Sequence, residues 1–159
     1  MDFTFLSSLL LNYWYLGAFF VGLLSSISIF LPSPAFVVVF LMAPMFDPFL
    51  LGIAAGLGAA VGEITGYLGG WAGEKVLLKK YSKQIKGLEG SFEKYHPSVV
   101  IFLFAVSPLP FDIVGLFCGV VRYPLKHFMP PLLIGKIIKY WIICYAGFYG
   151  MTWFMKFIG

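Results

Sequence analysis

Charge is what this chain has least of. Of its 159 residues, 11% are Asp, Glu, Lys or Arg and 60% are hydrophobic. A water-covered domain carries about a quarter charged residues. A surface facing water on all sides is thereby excluded, and the chain reads as an integral membrane protein. Cysteine is nearly missing too: Cys118 and Cys144 both fall inside apolar runs, which excludes a disulfide framework. The two histidines, His96 and His127, offer no Cys/His spacing for a metal and read as interface residues. No G-x-S-x-G and no phosphate-cradling glycine loop occurs, so nothing points to an enzyme or a cofactor. The start, MDFTFLSSLL, lacks a basic n-region, and the first segment is expected to be retained.

Long apolar runs fill the space left. A bilayer core about 30 Å thick needs roughly 20 helical residues. Phe3–Phe30, Pro48–Trp71 and Phe128–Phe157 reach that length. The run AFVVVFLMA between Pro34 and Pro44 does not, nor do Ser98–Val106 and Phe111–Val121. Prolines bound these short runs: Pro32 and Pro34 in LPSP, Pro108 and Pro110 in SPLP. Proline lacks an N–H and disturbs the turn before it, so a helix stops there. The released carbonyls cannot face lipid tails and need protein or water. The expectation is two re-entrant hairpins with those four prolines at the tips. A single kinked span over Ser98–Val121 is the plainer alternative.

Charge sets the direction. The stretch 75–94 holds six lysines: Lys75, Lys79, Lys80, Lys83, Lys86 and Lys94. The positive-inside bias makes this loop cytoplasmic. A second hairpin returns Arg122 and Lys126 to the same face, whereas a span would carry them across. The first hairpin then enters from the opposite face, with the amino terminus inside and the carboxyl terminus outside. Leu77, Tyr81, Ile85, Leu88, Phe92 and Tyr95 recur every three or four residues as one apolar stripe. That predicts an amphipathic helix at headgroup level, its lysines toward anionic lipid; nucleic acid is not the expected partner. The fold expected is a single all-α integral membrane domain over 1–159, multi-pass in the cell membrane. It has about three full transmembrane helices, two oppositely inserted re-entrant hairpins and one cytoplasmic-face amphipathic helix. Residues 31–73 form the first hairpin plus span, 74–96 the amphipathic helix, and 97–158 the second hairpin plus span.

The halves echo each other. Gly62-Glu63-Ile64-Thr65-Gly66-Tyr67 follows the first proline motif, and Gly135-Lys136-Ile137-Ile138-Lys139-Tyr140 follows the second. Paired broken segments in inverted halves point to a transport site near the midplane. Gly58, Gly62, Gly66 and Gly70 stand at every fourth residue, a groove that lets another backbone approach closely. A homodimer or internal packing could use it. Four charges also fall inside apolar segments: Glu63, Asp112, Lys136 and Lys139. Each unpaired charge at mid-depth opposes insertion by roughly 2.5–3.5 kcal/mol, so these need partners, water or protons. Glu63 and Lys136 hold equivalent places and could meet, while Asp112 could reach either lysine. Such a cluster reads as structural ion pairs or as a hydrated route for a charged group. Asp47 beside Pro48 reads as a helix start, and Arg122 as a rim residue that binds a headgroup or anchors.

The run SPLPFDIVGLFCGVVRYPLKHF, then IGKIIKY, resembles the DedA/VTT (SNARE-associated) membrane family, closest to its YqaA-like branch. The segment EITGYLGG is similar to that family's G-x-x-x-G-Y-x-x-G stretch. The residues matching the branch pattern are Pro108, Pro110, Asp112, Gly115, Gly119, Arg122, Gly135 and Lys136. The resemblance implies oppositely inserted hairpins and translocation of lipids such as polyprenyl phosphates or phospholipids. LPSPAF carries no acid where many members have one, and AVSPLPFD no arginine. The family's proton-linked acid and phosphate-binding arginines therefore do not transfer.

The function expected is a flippase or scramblase. Glu63, Asp112, Lys136, Lys139 and Arg122 are its headgroup residues, and membrane lipids, anionic or phosphate-bearing ones included, its partners. A proton-coupled ion or small-solute carrier and a non-transporting membrane organiser are the competing expectations.

Overall fold

The structure, a computed structural model, describes residues 3–27, 35–73, 82–107, 109 and 111–158. Within them lie seven helices: α1 (Phe3–Ile27), α2 (Ala35–Met42), α3 (Pro48–Ala72), α4 (Ser82–Lys94), α5 (Pro97–Val106), α6 (Asp112–Val120) and α7 (Leu125–Ile158). The four tip prolines Pro32, Pro34, Pro108 and Pro110 lie outside the described residues, as do Lys75, Leu77, Lys79, Lys80 and Tyr81.

Local chemistry sets the helix ends. Asp47 Oδ1 accepts the backbone N–H groups of Phe49 and Leu50 at 2.9 Å each, and Pro48 opens α3. His96 Nδ1 accepts the Ser98 N–H at 3.3 Å, and Pro97 opens α5. At the end of α6, Arg122 N–H donates to the Gly119 carbonyl at 3.1 Å and Tyr123 N–H to the Cys118 carbonyl at 2.8 Å. This Schellman pair places Arg122 at φ 52°, a left-handed position that normally takes glycine. Pro130 and Pro131 sit in the second turn of α7, where the carbonyls they leave unpaired belong to Lys126 and His127, both exposed.

Contacts along the helices fix their directions. Phe19 lies on Gly58, and Leu23 and Ser26 lie on Gly62, so α1 runs with α3. Gly52 meets Trp141, Gly56 meets Ile137 and Tyr67 packs on Phe128, so α7 runs against α3. Helix α6 follows α3, with Gly115 beside Glu63 and Gly119 beside Tyr67 and Trp71. Helix α2 follows α7, with Phe36 on Tyr140 and Phe40 on Gly147. Helix α5 also follows α7: Phe102 and Ala105 lie on Gly135, and Val106 borders the same cavity as Lys139 and Ile142. It follows that α5 and α6 point opposite ways, and so do α1 and α2. The chain turns back between α5 and α6 instead of continuing as one kinked helix from Ser98 to Val121.

One expectation is corrected by these directions. Phe3–Phe30 as a separate crossing, with the amino terminus beside the basic loop, requires α1 to oppose α3. Instead α1 starts at the Asp47 end, and its last turn lies beside Gly62, near the middle of α3. The amino-terminal end of α1 therefore lies away from the basic loop, and the chain reverses before α2. Run length alone carries no direction; the backbone approach at Gly58 and Gly62 sets it.

Each half therefore reads long or short leg, reversal, short helix, long helix, and the short helices are exchanged. Helix α2 packs on α7 of the other half, and α6 packs on α3. Two buried clusters result. One gathers Ala18, Val39, Leu51, Ala55, Tyr140 and Cys144, the other Tyr67, Ile101, Val114, Phe117, Phe128 and Leu132. Helix α4 joins the second cluster through Ile85 and Leu88, and Phe92 packs edge-on against Phe117. Its apolar stripe thus faces protein, and Lys83 and Lys86 point outward. The outside of the bundle is apolar along its length, with Phe20, Leu24, Val37, Leu41, Leu57, Val61, Leu68 and Ile142 exposed. Helices α3 and α7, over Pro48–Ala72 and Leu125–Trp153, are long and apolar enough to cross a membrane.

Candidate functional site

The long helices bring Glu63 and Lys136 together. Glu63 is 2% exposed and Lys136 6%. Lys136 Nζ donates to Glu63 Oε1 at 2.5 Å. Glu63 Oε2 is buried and accepts no hydrogen bond among the described residues. Around it the packing opens. A side chain at Gly62 would lie 2.6 Å from the Leu23 carbonyl and one at Gly70 would overlap the Leu116 backbone, so these glycines serve close helix approach. At Gly66 and Gly115 an added Cβ would instead meet Glu63 Oε2 at 3.9 and 3.7 Å, ordinary contact distances. The glycine series is thus split: Gly58 and Gly62 seat α1, Gly70 seats α6, and Gly66 borders the free carboxylate oxygen.

The other charges gather close by. Asp112 opens α6, half-buried, and interacts electrostatically with Lys136 and Lys139. Lys136 Nζ stands 5.0 Å over the Phe111 ring, and Lys139 Nζ 4.9 Å over the Phe36 ring. Each ring belongs to the chain just past a proline motif, so each lysine sits at the mouth of one reversal. Tyr140, four residues past Lys136, places its hydroxyl 3.3 Å from Ser25 Oγ, near the end of α1. Its counterpart Tyr67 donates its O–H to the Tyr123 carbonyl at 2.8 Å. Arg122 does not join the cluster. It follows Asp112 by ten residues, roughly 15 Å of helical rise, and lies exposed at the far end of α6.

The sequence that folds into these two halves matches the VTT domain over residues 4–149, nearly its whole length. The chain belongs to the VTT domain family, also called DedA. This VTT domain is 27% identical over 150 residues to Uncharacterized protein MJ0201 of Methanocaldococcus jannaschii, covering 87% of each chain. No solved structure matches it. The match is to the family as a whole and does not single out the YqaA-like branch. It establishes a membrane domain and encloses Glu63, Asp112, Lys136 and Lys139.

In this VTT domain one member of the charged cluster, Lys139, borders a cavity. A cavity of about 420 Å³ beside Lys139 is lined by Phe36, Val106, Ile142 and Ile143. It adjoins a wholly apolar groove of about 340 Å³ between α2 and α7, lined by Val37, Phe40 and Ala146 besides the shared residues. Among the described lining residues of the two, Lys139 is the only charged one. Sequence reasoning found the four charges, and Gly115 only as a residue of the family pattern, but missed Phe36, Phe111 and Ser25. The aromatic after each proline motif, PSPAF and PLPF, was the available signal for the two rings. Ser25 carried none, since its partner Tyr140 lies in the opposite half.

Proposed function

We propose that this VTT domain moves lipid across the bilayer, with the headgroup passing along the charged cluster and the acyl chains staying in the membrane. Helices α3 and α7 cross, α1–α2 and α5–α6 enter as re-entrant hairpins from opposite faces, and the lysine-rich end is cytoplasmic. One observation carries the reading: Lys139, three residues from the buried Lys136–Glu63 pair and coupled to it electrostatically, is the charged residue among the described lining of an otherwise apolar cavity. An ion pair kept only for stability has no need of a side opening. A lipid needs one, because its tails remain in the bilayer while its headgroup is shielded. The proposed activity breaks no bond in the lipid.

The test uses purified protein in liposomes with a headgroup-labelled phospholipid. Transbilayer movement should rise above that of protein-free vesicles. Asp112→Asn and Lys136→Ala should each lower it by about tenfold, or about 1.4 kcal/mol of barrier. Full flux in both variants, with normal folding, would rule out the cluster as the route.

A further inference from the structure

A second cavity lies at the lysine-rich end, between the end of α4 and the outer face of α5. Its volume is about 320 Å³, and Ser91, Tyr95, Val99, Val100, Leu103 and Phe104 line it. Val99 and Leu103, one turn apart, are exposed, while Phe104 packs on the buried cluster. The groove has two unlike ends. At the α4 end stand the Ser91 hydroxyl, which donates to the Gly87 carbonyl at 2.9 Å, and Tyr95, with Lys94 Nζ 5.3 Å from its ring centre. Toward Leu103 and Phe104 the described lining is apolar.

Dimensions select what fits. From Pro97 to Phe104 the helix rises roughly 10 Å, most of the ~15 Å hydrocarbon depth of one leaflet. Spread over that length, the volume makes a channel about 6 Å wide. A hydrocarbon chain, with carbon contacts at about 4 Å, enters such a channel, and a helix about 10–12 Å across does not. Charge at the polar end selects the headgroup. Lys94 lies three residues from Ser91, on the same side of α4. Glu89 and Glu93 each lie two residues from Ser91 and fall across the helix from it. The groove mouth therefore carries a cation, with the acids of α4 turned to the other side.

We infer that this groove holds one anionic phospholipid of the cytoplasmic leaflet as a bound ligand that is not the transported one. An acyl chain lies along Val99 and Leu103, and the phosphate meets Lys94 and the hydroxyls of Ser91 and Tyr95. The inference rests on the membrane placement proposed above and adds a site that shares no residue with the charged cluster. A zwitterionic lipid brings the same chain but sets its own cation near Lys94, so it binds more weakly. Ser91 and Tyr95 come from α4 and the rest of the lining from α5, so the lipid bridges the two elements. Helix α4 in turn packs on α6 through Phe92 and Phe117. An occupied groove thus fastens the second reversal to the membrane surface.

The experiment uses the delipidated full chain in detergent, titrated with phosphatidylglycerol, phosphatidylcholine or glycerol phosphate. Bound lipid is counted by native mass spectrometry, and the unfolding temperature is followed alongside. One phosphatidylglycerol should bind per chain and raise the unfolding temperature, since it binds the folded state alone. Phosphatidylcholine should bind about threefold more weakly, and glycerol phosphate, which has no chains, should not bind. Leu103→Trp fills the groove from an exposed position and should weaken phosphatidylglycerol by about tenfold. Val99→Trp blocks the same groove one turn earlier and should act alike. Lys94→Gln should weaken it by about threefold, as loss of an exposed ion pair does, and Lys94→Arg should restore it. Leu57→Trp, at an exposed position of α3, should bind as wild type does. Wild-type binding by both groove variants would overturn the site. Equal affinity for the two lipids, unmoved by Lys94→Gln, would overturn the anionic headgroup. Many lipids bound with no saturable first one would mean annular contact only and would overturn the inference. No flux is read, so failure here leaves the transport reading as it stands.

Discussion

Glu63 and Lys136 occupy one equivalent position in the two halves, carry opposite charges, and meet 2.5 Å apart in the interior. Removing one member of a buried pair strands the other, which is destabilising by about 3–5 kcal/mol, while replacing both with neutral residues is much milder. Lys136→Met and Glu63→Gln should therefore each lower the unfolding temperature in detergent strongly, and the double variant should recover most of the loss. Independent, additive losses would show that the pair is not an energetic unit. Flux in the stable double variant then separates roles: retained movement would mean that the pair only holds the helices.

The direction of α1 gives a second expectation. Cysteine reporters at Tyr13 and Met45, exposed at the Asp47 end, should react with an impermeant reagent from one side of the membrane. A reporter at Lys86 should react from the other. Background is low because Cys118 and Cys144 are buried. Labelling of Tyr13 together with Lys86 would restore α1 as a full crossing.

The glycines divide into those that seat a helix and those that do not. An alanine at Gly119 would overlap the Tyr67 carbonyl, and one at Gly70 the Leu116 carbonyl. Overpacking of that kind is destabilising by about 1–3 kcal/mol. Gly119→Ala and Gly70→Ala should thus unfold at clearly lower temperature, and Gly17→Ala should not. Identical melting of all three would remove the backbone approach of α6 to α3.

Tyr67 ties α3 to the turn between α6 and α7. Tyr67→Phe deletes the hydrogen bond to the Tyr123 carbonyl and should lower stability by about 1 kcal/mol. The effect should also appear as faster amide exchange in the turn at Val121–Tyr123. Unchanged exchange there would mean that the turn is held by its own Schellman bonds.

Much of this was legible in the residues, for local reasons. Asp47-Pro48 announced the start of α3, because an acid before proline is a complete capping signal. GEITGY and GKIIKY announced the meeting of Glu63 with Lys136, because equivalent positions on antiparallel helices fall near one axis. The rest depended on partners far along the chain. Nothing in Phe3–Phe30 says that α1 runs with α3, since apolar runs carry no direction. The stripe of α4 reads the same toward lipid as toward Ile101 and Phe117. The left-handed turn at Arg122 was invisible for the opposite reason: glycine would have marked it, and arginine stands there instead.

The exchange of short helices has a consequence for synthesis. When the first three helices have left the ribosome, the surface that α2 finally rests on, around Tyr140 and Gly147, has not yet been translated. The nascent first half thus has mainly the packing of α1 on α3, with a smaller contact of α1 on α2. Its remaining segment settles only when the last helix arrives, so the closing step of assembly joins both halves at once.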